Sequence, residues 1–322
     1  MRSFGLRKTI GVIRGGPSFD YDVSLQTGKK VLSANIPGYE WRDFFIDRHG
    51  VWYLNGLAQK PVSVLNNVDG VFNALHGTYG EDGGVQEILD IFGVPYTGSG
   101  RVASALATRK DLSLNYCASQ DIKIPTSLLI REGDNREDVF LFSDKVSFPL
   151  VVKPVSSGSS AGICLASSNE ELSVAIENAF RFSPAVLVQE FIEGREASCG
   201  VIEGLRGEEV YSLFPVEIVP NFSNFFDYEE KYSGKAFKRC PANFTDEEKK
   251  EIQRLAVLIH RCLGLRHYSR SDFVVTPDRG IFMLEVNALP DLTEDSLFTL
   301  ELEASGISFE EFLSNLLGSL YL

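Results

Sequence analysis

Two apolar segments near the C-terminal end, residues 268–275 (YSRSDFVV) and 280–284 (GIFML), constrain this chain more than any other feature. Both read as strands. The two-residue period of a strand puts Glu285 and Asn287, just past the second segment, on one face. The first segment offers Asp272 as a third oxygen ligand, with Arg270 beside it. Three hard oxygen donors on a rigid edge suit Mg²⁺, which is held by one or two carboxylates together with substrate phosphates. Acids at strand ends are also common as solvated or capping groups, and only the rest of the chain separates the two readings.

Earlier segments describe an open α/β sheet. Residues 8–13 form a buried strand that ends in Arg14-Gly-Gly-Pro-Ser-Phe-Asp20, and helical periodicity follows from Asp22. Sites in such sheets lie at the carboxyl ends of the strands, which places Ser18 and Asp20 at a site; Asp22 reads as a helix-capping acid. Residues 68–75 repeat the pattern and end in His76-Gly-Thr-Tyr-Gly-Glu-Asp-Gly-Gly84. Residues 98–103 (GSGRVA) match a dinucleotide-binding glycine pattern, with Asp121 at about the expected distance. That scheme gives Lys110 and Lys153 no role, so the segment reads instead as a loop entering a helix over 103–118.

Lys153 closes an apolar strand and opens Lys153-Pro-Val-Ser-Ser-Gly-Ser-Ser-Ala-Gly162 before a second strand at 163–166. Gly and Ser at this density let backbone N–H groups approach phosphate oxygens, while the lysine supplies a point charge. No GxxxxGK[ST] occurs, so this is not a Walker loop. The net charge of −13 argues against broad binding to nucleic acid or anionic membrane, so phosphate must be held by a local basic cluster. No window approaches the length of a membrane-spanning helix and the N-terminal apolar run is too short for a signal peptide, which predicts a cytoplasmic protein. Five widely spaced cysteines without CxxC predict reduced thiols. Thr245-Asp-Glu-Glu248 is a capping box, and Ser308 caps a last helix with a core-facing apolar stripe. Two lysines on separate elements, a Ser/Gly hairpin and a three-ligand cation cluster together specify a nucleoside triphosphate held between two sheets.

These segments, taken in order, resemble the D-alanine–D-alanine ligases of the ATP-grasp superfamily. The resemblance is carried by GGPSFDYDVSL, ALHGTYGEDGGVQ, GVPYTGSG, VVKPVSSGSSAG, VLVQEFIEGRE, FDYEEKY, CPA, YSRSDF and LEVNALPDLTEDSL. It implies an α/β fold of three domains, at 1–103, 104–188 and 189–322, the first an open parallel sheet. It also implies a homodimer and the ATP-dependent joining of two D-alanines, through an acyl phosphate, for peptidoglycan and hence cell-wall synthesis. By matching position, Lys110, Lys153 and Ser160 would contact the ATP phosphates, and Glu190, Ile192 and Glu196 would line the adenine and ribose pocket. Asp272, Glu285 and Asn287 would hold two Mg²⁺ or Mn²⁺ ions. Asp20 would bind the first amino group within a triad with Ser159 and Tyr232, and His76 would lie near the first carboxylate. Arg270 and the backbone N–H of Asp291 would form an oxyanion hole. Lys231, Ser296 and the Leu297 N–H would take the second carboxylate.

Three positions depart from the family pattern: Asp20 and Gln189 stand where Glu is frequent, and Asp291 stands where Gly is. If position 291 requires a positive φ, a side chain there is costly. Its carboxylate is expected to alter the second-substrate pocket, toward a cationic or otherwise different amine. Two other readings remain: an ATP-grasp ligase with another amino-acid or hydroxy-acid acceptor, and a nucleotide-binding relative that has lost catalysis.

Overall fold

The computed structural model describes residues 7–156, 162–219 and 237–321. Its first sheet is built from β1 (Lys8–Gly15), β2 (Tyr39–Ile46), β3 (Trp52–Leu54), β4 (Leu57–Gln59) and β5 (Gly70–Asn73), in the order β4-β3-β2-β1-β5. Strand β1 is parallel to both β2 and β5. The carboxyl ends of β1 and β5 therefore lie side by side. Helix α1 (Tyr21–Ser33) starts directly above them, and Ser24 ties the junction by accepting from the Gly15 amide and donating to the Ala74 carbonyl, each at 2.8 Å. Asp22 lies within the first turn of α1; the residue at the cap itself is Asp20, whose side chain makes no capping bond.

The short helix α2 (Pro61–Leu65) precedes β5, and α3 (Gly84–Ile91) follows it. The helix expected over 103–118 is two helices, α4 (Arg101–Thr108) and α5 (Lys110–Ala118). They break at Arg109, whose ψ of 91° is extended, and the Lys110 amide leaves the helical ladder to bond the Val155 carbonyl at 3.2 Å. This break turns the Lys110 side chain inward.

A second sheet, all antiparallel, is formed by β6 (Ser127–Arg131), β7 (Leu150–Pro154), β8 (Cys164–Ala166) and β9 (Ala185–Glu190), in the order β6-β9-β7-β8. Helices α6 (Glu137–Val146) and α7 (Asn169–Ala179) cover it. The third sheet runs β13 (Phe237–Arg239), β12 (Val216–Val219), β10 (Arg195–Glu203), β14 (Tyr268–Thr276), β15 (Gly280–Asn287), with β11 (Val210–Ser212) also on β10. Helix α8 (Asp246–Cys262) opens with the expected capping box and packs Ile252, Leu255, Ala256 and Ile259 onto this sheet. Helices α9 (Leu297–Ala304) and α10 (Phe309–Ser319) close the chain, and the buried stripe of α10 shares one core with Ile10, Val12 and Phe72 of the first sheet. The five cysteines are free thiols. Among the described residues no helix is long and apolar enough to cross a membrane.

Candidate active site

The hairpin β14–β15 carries the site. Arg270 pairs with Asn287 and Asp272 with Glu285, and then the register shifts: Phe273 pairs with Met283, leaving Leu284 as an extra residue. This β-bulge resets the two-residue alternation. Because of it Phe282, opposite Val274, shares a face with Glu285 and Asn287, although Phe282 and Glu285 are three positions apart. Ile192, Val274, Phe282 and Leu284 form an apolar group at one end of that face, and the charged residues occupy the other.

The charged end is a closely balanced network. Arg270 grips both oxygens of Asp272, at 3.0 and 2.9 Å, and Ser198 donates to the same carboxylate at 2.7 Å. Asn287 Nδ2 lies 3.4 Å from Asp272 Oδ2. Lys110 Nζ is 3.4 Å from Glu285 Oε2, and Lys153 Nζ donates at 3.2 Å to the Leu284 carbonyl, in the bulge. Both lysines are buried, at 8% and 5% exposure. Burial lowers the Lys153 pKa to about 8, against the opposing pull of Glu285. Burial would raise the Glu285 carboxyl, but Lys110, Lys153 and Arg270 outweigh it and hold the group below its usual range. Three cations thus surround two carboxylates, leaving an excess of positive charge that suits a polyanion. Among the described residues no three His, Cys, Asp or Glu side chains gather as a metal site; the third oxygen donor here is the amide of Asn287.

Glu190, at the end of β9, accepts from Arg279 at 2.6 Å and from the Thr126 amide at 3.3 Å. Its neighbour Gln189 is buried and donates to Ser127 Oγ at 2.7 Å. Glu196 lies on β10 opposite Val274 of β14.

A second group of residues gathers at the carboxyl ends of β1 and β5. Gly77 has φ +69°, and a Cβ there would stand 2.2 Å from Ser18 Oγ and 2.6 Å from Asp20 Oδ2, so glycine is needed for the two strand-end loops to meet. His76 is buried; Nε2 is 3.0 Å from Thr27 Oγ1 and Nδ1 is 3.3 Å from Glu81 Oε1. Burial would lower its pKa, yet the hydrogen bond and charge of Glu81, with Asp291 and Asp20 behind it, raise it above the ordinary value. Thr27 Oγ1 also accepts from the Leu292 amide at 3.3 Å, which ties the segment after β15 to α1.

Asp291 is not among the residues with positive φ. Its side chain is drawn back onto its own loop, accepting from the Thr293 amide at 3.2 Å and the Thr293 hydroxyl at 2.5 Å. The conformational penalty weighed for a residue replacing glycine here does not arise. Ser296 caps α9, accepting from the Thr299 amide at 3.1 Å, and Leu297 is the first residue of that helix. Ser159, Ser160, Lys231 and Tyr232 lie outside the described residues.

Sequence reasoning missed several residues that complete the site. Ser198 and Glu81 orient Asp272 and His76, and Thr27 links two loops; each is an ordinary polar residue that only the fold brings into place. Glu301 on α9 is fully buried, with neither oxygen hydrogen-bonded among the described residues, and Oε2 packs against Gly200. Burial pushes its carboxyl well above the usual range, against the opposing pull of Arg270. An acid facing the interior of a short apolar helix was the available signal.

Comparison with known proteins agrees with this geometry. Residues 57–99 match the family described as D-ala D-ala ligase N-terminus, and residues 119–318 match D-ala D-ala ligase C-terminus. The chain is 38% identical over 311 residues to a D-alanine--D-alanine ligase of Geobacter sulfurreducens, spanning 96% of this chain and 92% of that one. Among solved structures it is similar to the VanG D-Ala:D-Ser ligase from Enterococcus faecalis, with TM-score 0.85 and 32% identity, covering 98% of this chain and 100% of the other. It is also similar to the D-alanine--D-alanine ligase from Bacillus anthracis complexed with ATP, with TM-score 0.80, 27% identity and coverage of 98% and 97%. The α/β, ATP-grasp architecture expected from the sequence is the one observed. With both halves matched and the likeness running through nearly the whole chain, the protein belongs to the D-alanine–D-alanine ligase family.

Proposed function

We infer that the chain is an ATP-dependent ligase that joins two D-alanines into D-alanyl-D-alanine, for peptidoglycan synthesis. The observation that carries this is the β14–β15 face, where Lys110, Lys153 and Arg270 surround Asp272 and Glu285 beside an apolar end. An excess of fixed positive charge favours a triphosphate, and the apolar end with Ile192 and Phe282 suits a base. Phosphoryl transfer needs positioning and charge neutralisation more than a nucleophilic side chain, which this set provides.

The donors also fit divalent cations. Asp272, Glu285 and Asn287 present hard oxygens on one face, and their partners are side chains that a metal–phosphate assembly can replace. Two Mg²⁺ or Mn²⁺ ions there would neutralise charge on the transferred phosphoryl group. In this reading the first D-alanine carboxylate attacks the γ-phosphate, the bond to the β–γ bridging oxygen breaks, and ADP leaves behind an acyl phosphate. The second amine then attacks that carbonyl, and phosphate leaves. Asp20 and the raised-pKa His76 serve the first amino acid's ammonium and carboxylate. Arg270 with the Asp291 N–H stabilises the tetrahedral oxyanion, and Ser296 with the Leu297 N–H takes the second carboxylate. Lys110, Lys153, Glu190, Ile192 and Glu196 serve ATP. Ser159, Ser160, Lys231 and Tyr232 keep the roles that the resemblance gives them.

The same proposal divides the chain at 1–103, 104–188 and 189–322 and places the protein in the cytoplasm, where ATP is available. It pairs two chains through the N-terminal sheet region, where Ile91, Phe92 and Val102 are exposed.

The test is phosphate release from ATP and Mg²⁺ with D-alanine, with the product mass read alongside. D-alanyl-D-alanine is expected; ATP binding without release for any amino acid would overturn the reading. A second reading, D-serine as acceptor, is favoured by the 32% identity to the D-Ala:D-Ser ligase. Product mass with mixed D-alanine and D-serine separates the two.

A further inference from the structure

Lys30 on α1 is half-buried, in a position that the proposed chemistry leaves without a task. Its ammonium lies 4.6 Å from the centre of the Phe309 ring and donates at 3.3 Å to Thr299 Oγ1 on α9. Thr299 Oγ1 is in turn 3.0 Å from Ser296 Oγ, and both of these residues are 5% exposed. Lys30 also borders a cavity of about 380 Å³, walled by Lys29, Thr293, Glu294 and Asp295 among others.

The direction of these bonds matters. A lysine ammonium only donates, whereas a hydroxyl donates one hydrogen and accepts twice. Thr299 Oγ1 accepts from Lys30 and, at 3.0 Å, from Ser296 Oγ, so both of its acceptor positions are used. Ser296 Oγ already accepts from the Thr299 amide at 3.1 Å. An anion that reaches the N-terminus of α9 draws the serine hydrogen to itself, and the Thr299 hydrogen then takes its place between the two hydroxyls while Lys30 still donates to Thr299 Oγ1. The cation behind the relay strengthens that donation by polarising each bond in turn.

We propose that Lys30 is a positioning residue for the acceptor's carboxylate, aligning the Ser296 hydroxyl through Thr299 and adding positive charge to an otherwise acidic loop. This rests on the reading that Ser296 receives that carboxylate. It also sets Lys30 among acids: Glu294, Glu303, Asp291 and Glu310 all act on its ammonium.

The test is calorimetric titration of D-alanine into the full-length protein saturated with Mg²⁺ and a non-hydrolysable ATP analogue, followed by steady-state kinetics. Lys30→Met and Thr299→Val should each weaken the weaker D-alanine site about tenfold, the scale of one charge-assisted hydrogen bond. Lys30→Arg and Thr299→Ser should retain most of the affinity. The tighter site should not move, and the KM for the second D-alanine should rise while kcat stays within about twofold. An unchanged weaker site in Lys30→Met, or both sites weakening together, overturns the proposal. A wild-type protein that binds no D-alanine defeats the ligase reading itself, and this proposal with it. A wild-type protein that binds one D-alanine and takes D-serine second defeats only the acceptor's identity, and the same variants are then read on D-serine.

Discussion

The two halves of the candidate site are built differently. On the phosphate side the charges are interlocked, with Lys110 and Lys153 on Glu285 and Arg270 and Ser198 on Asp272, all on buried or half-buried strand and helix positions. On the acceptor side Thr293, Glu294 and Asp295 lie on a loop beside a cavity, Asp291 bonds within that loop, and a lysine on α1 reaches in through two hydroxyls. A rigid, over-determined network suits a group common to many reactions, the triphosphate. A loop braced by one relay leaves room for the acceptor to be changed without touching phosphoryl transfer.

The comparison is broken most severely from the phosphate side. Lys153→Met should lower kcat by about 10²–10³-fold, as the loss of one preorganised donor to a developing anion does, with ADP release as the measurement. D-Alanine affinity should stay near wild type, and a matching fall there would mean that the two halves are not separable. Next comes the first-substrate pocket. Glu81→Ala removes the partner that raises the His76 pKa and should raise the KM for the first D-alanine about tenfold. The sign is definite: a histidine with a raised pKa keeps its charge below that pKa and loses it as pH rises through it. First-site affinity should therefore fall on the alkaline side, and in Glu81→Ala the fall should begin at lower pH.

Smaller effects sharpen the contrast. Asp291→Gly should change the KM for the second D-alanine by no more than about threefold, the range of substitutions that break no buried interaction. A tenfold gain in D-alanine dimerisation would instead show that the carboxylate shapes the pocket. Just before β14, His267 Nδ1 accepts from the Gly98 amide at 2.9 Å, and burial beside Arg266 lowers its pKa to about 4. A histidine held neutral stabilises the fold fully above its unfolded pKa near 6.5, and that contribution is lost as pH falls through about 4. The loss should reach about 3 kcal/mol, read from urea midpoints across that range. Activity at pH 7 should be unchanged in His267→Gln.

Much of this was legible in the sequence because the relevant residues sit on regular elements with clear periodicity. The capping box at Thr245 and the stripe of α10 need only local rules. The pairing of Asp272 and Glu285 followed from two neighbouring strand patterns. Strand β2 was not seen: YEWRDFFI mixes charged and aromatic residues without strict alternation, and it becomes a strand through its pairing with β1 and β3. Nor was the break at Arg109, because no proline or glycine marks it and its cause is a carbonyl on a distant strand end, that of Val155. Lys30 on α1 and Thr299 on α9 meet only in three dimensions, as do Glu301 on α9 and Gly200 on β10.

The extra residue at Leu284 makes chain length between Phe282 and Glu285 a kind of reading frame. Leu284 is the letter that goes uncounted: it falls outside the pairing, so Glu285 keeps the side that Phe282 has. Drawn into an unbroken ladder with no bulge, the same residues would turn Glu285 and Asn287 to the side occupied by Met283 and Val286, and the base end and the phosphate end would part company. Losing that one letter would keep both ends on one side and remove instead the bulge carbonyl to which Lys153 donates.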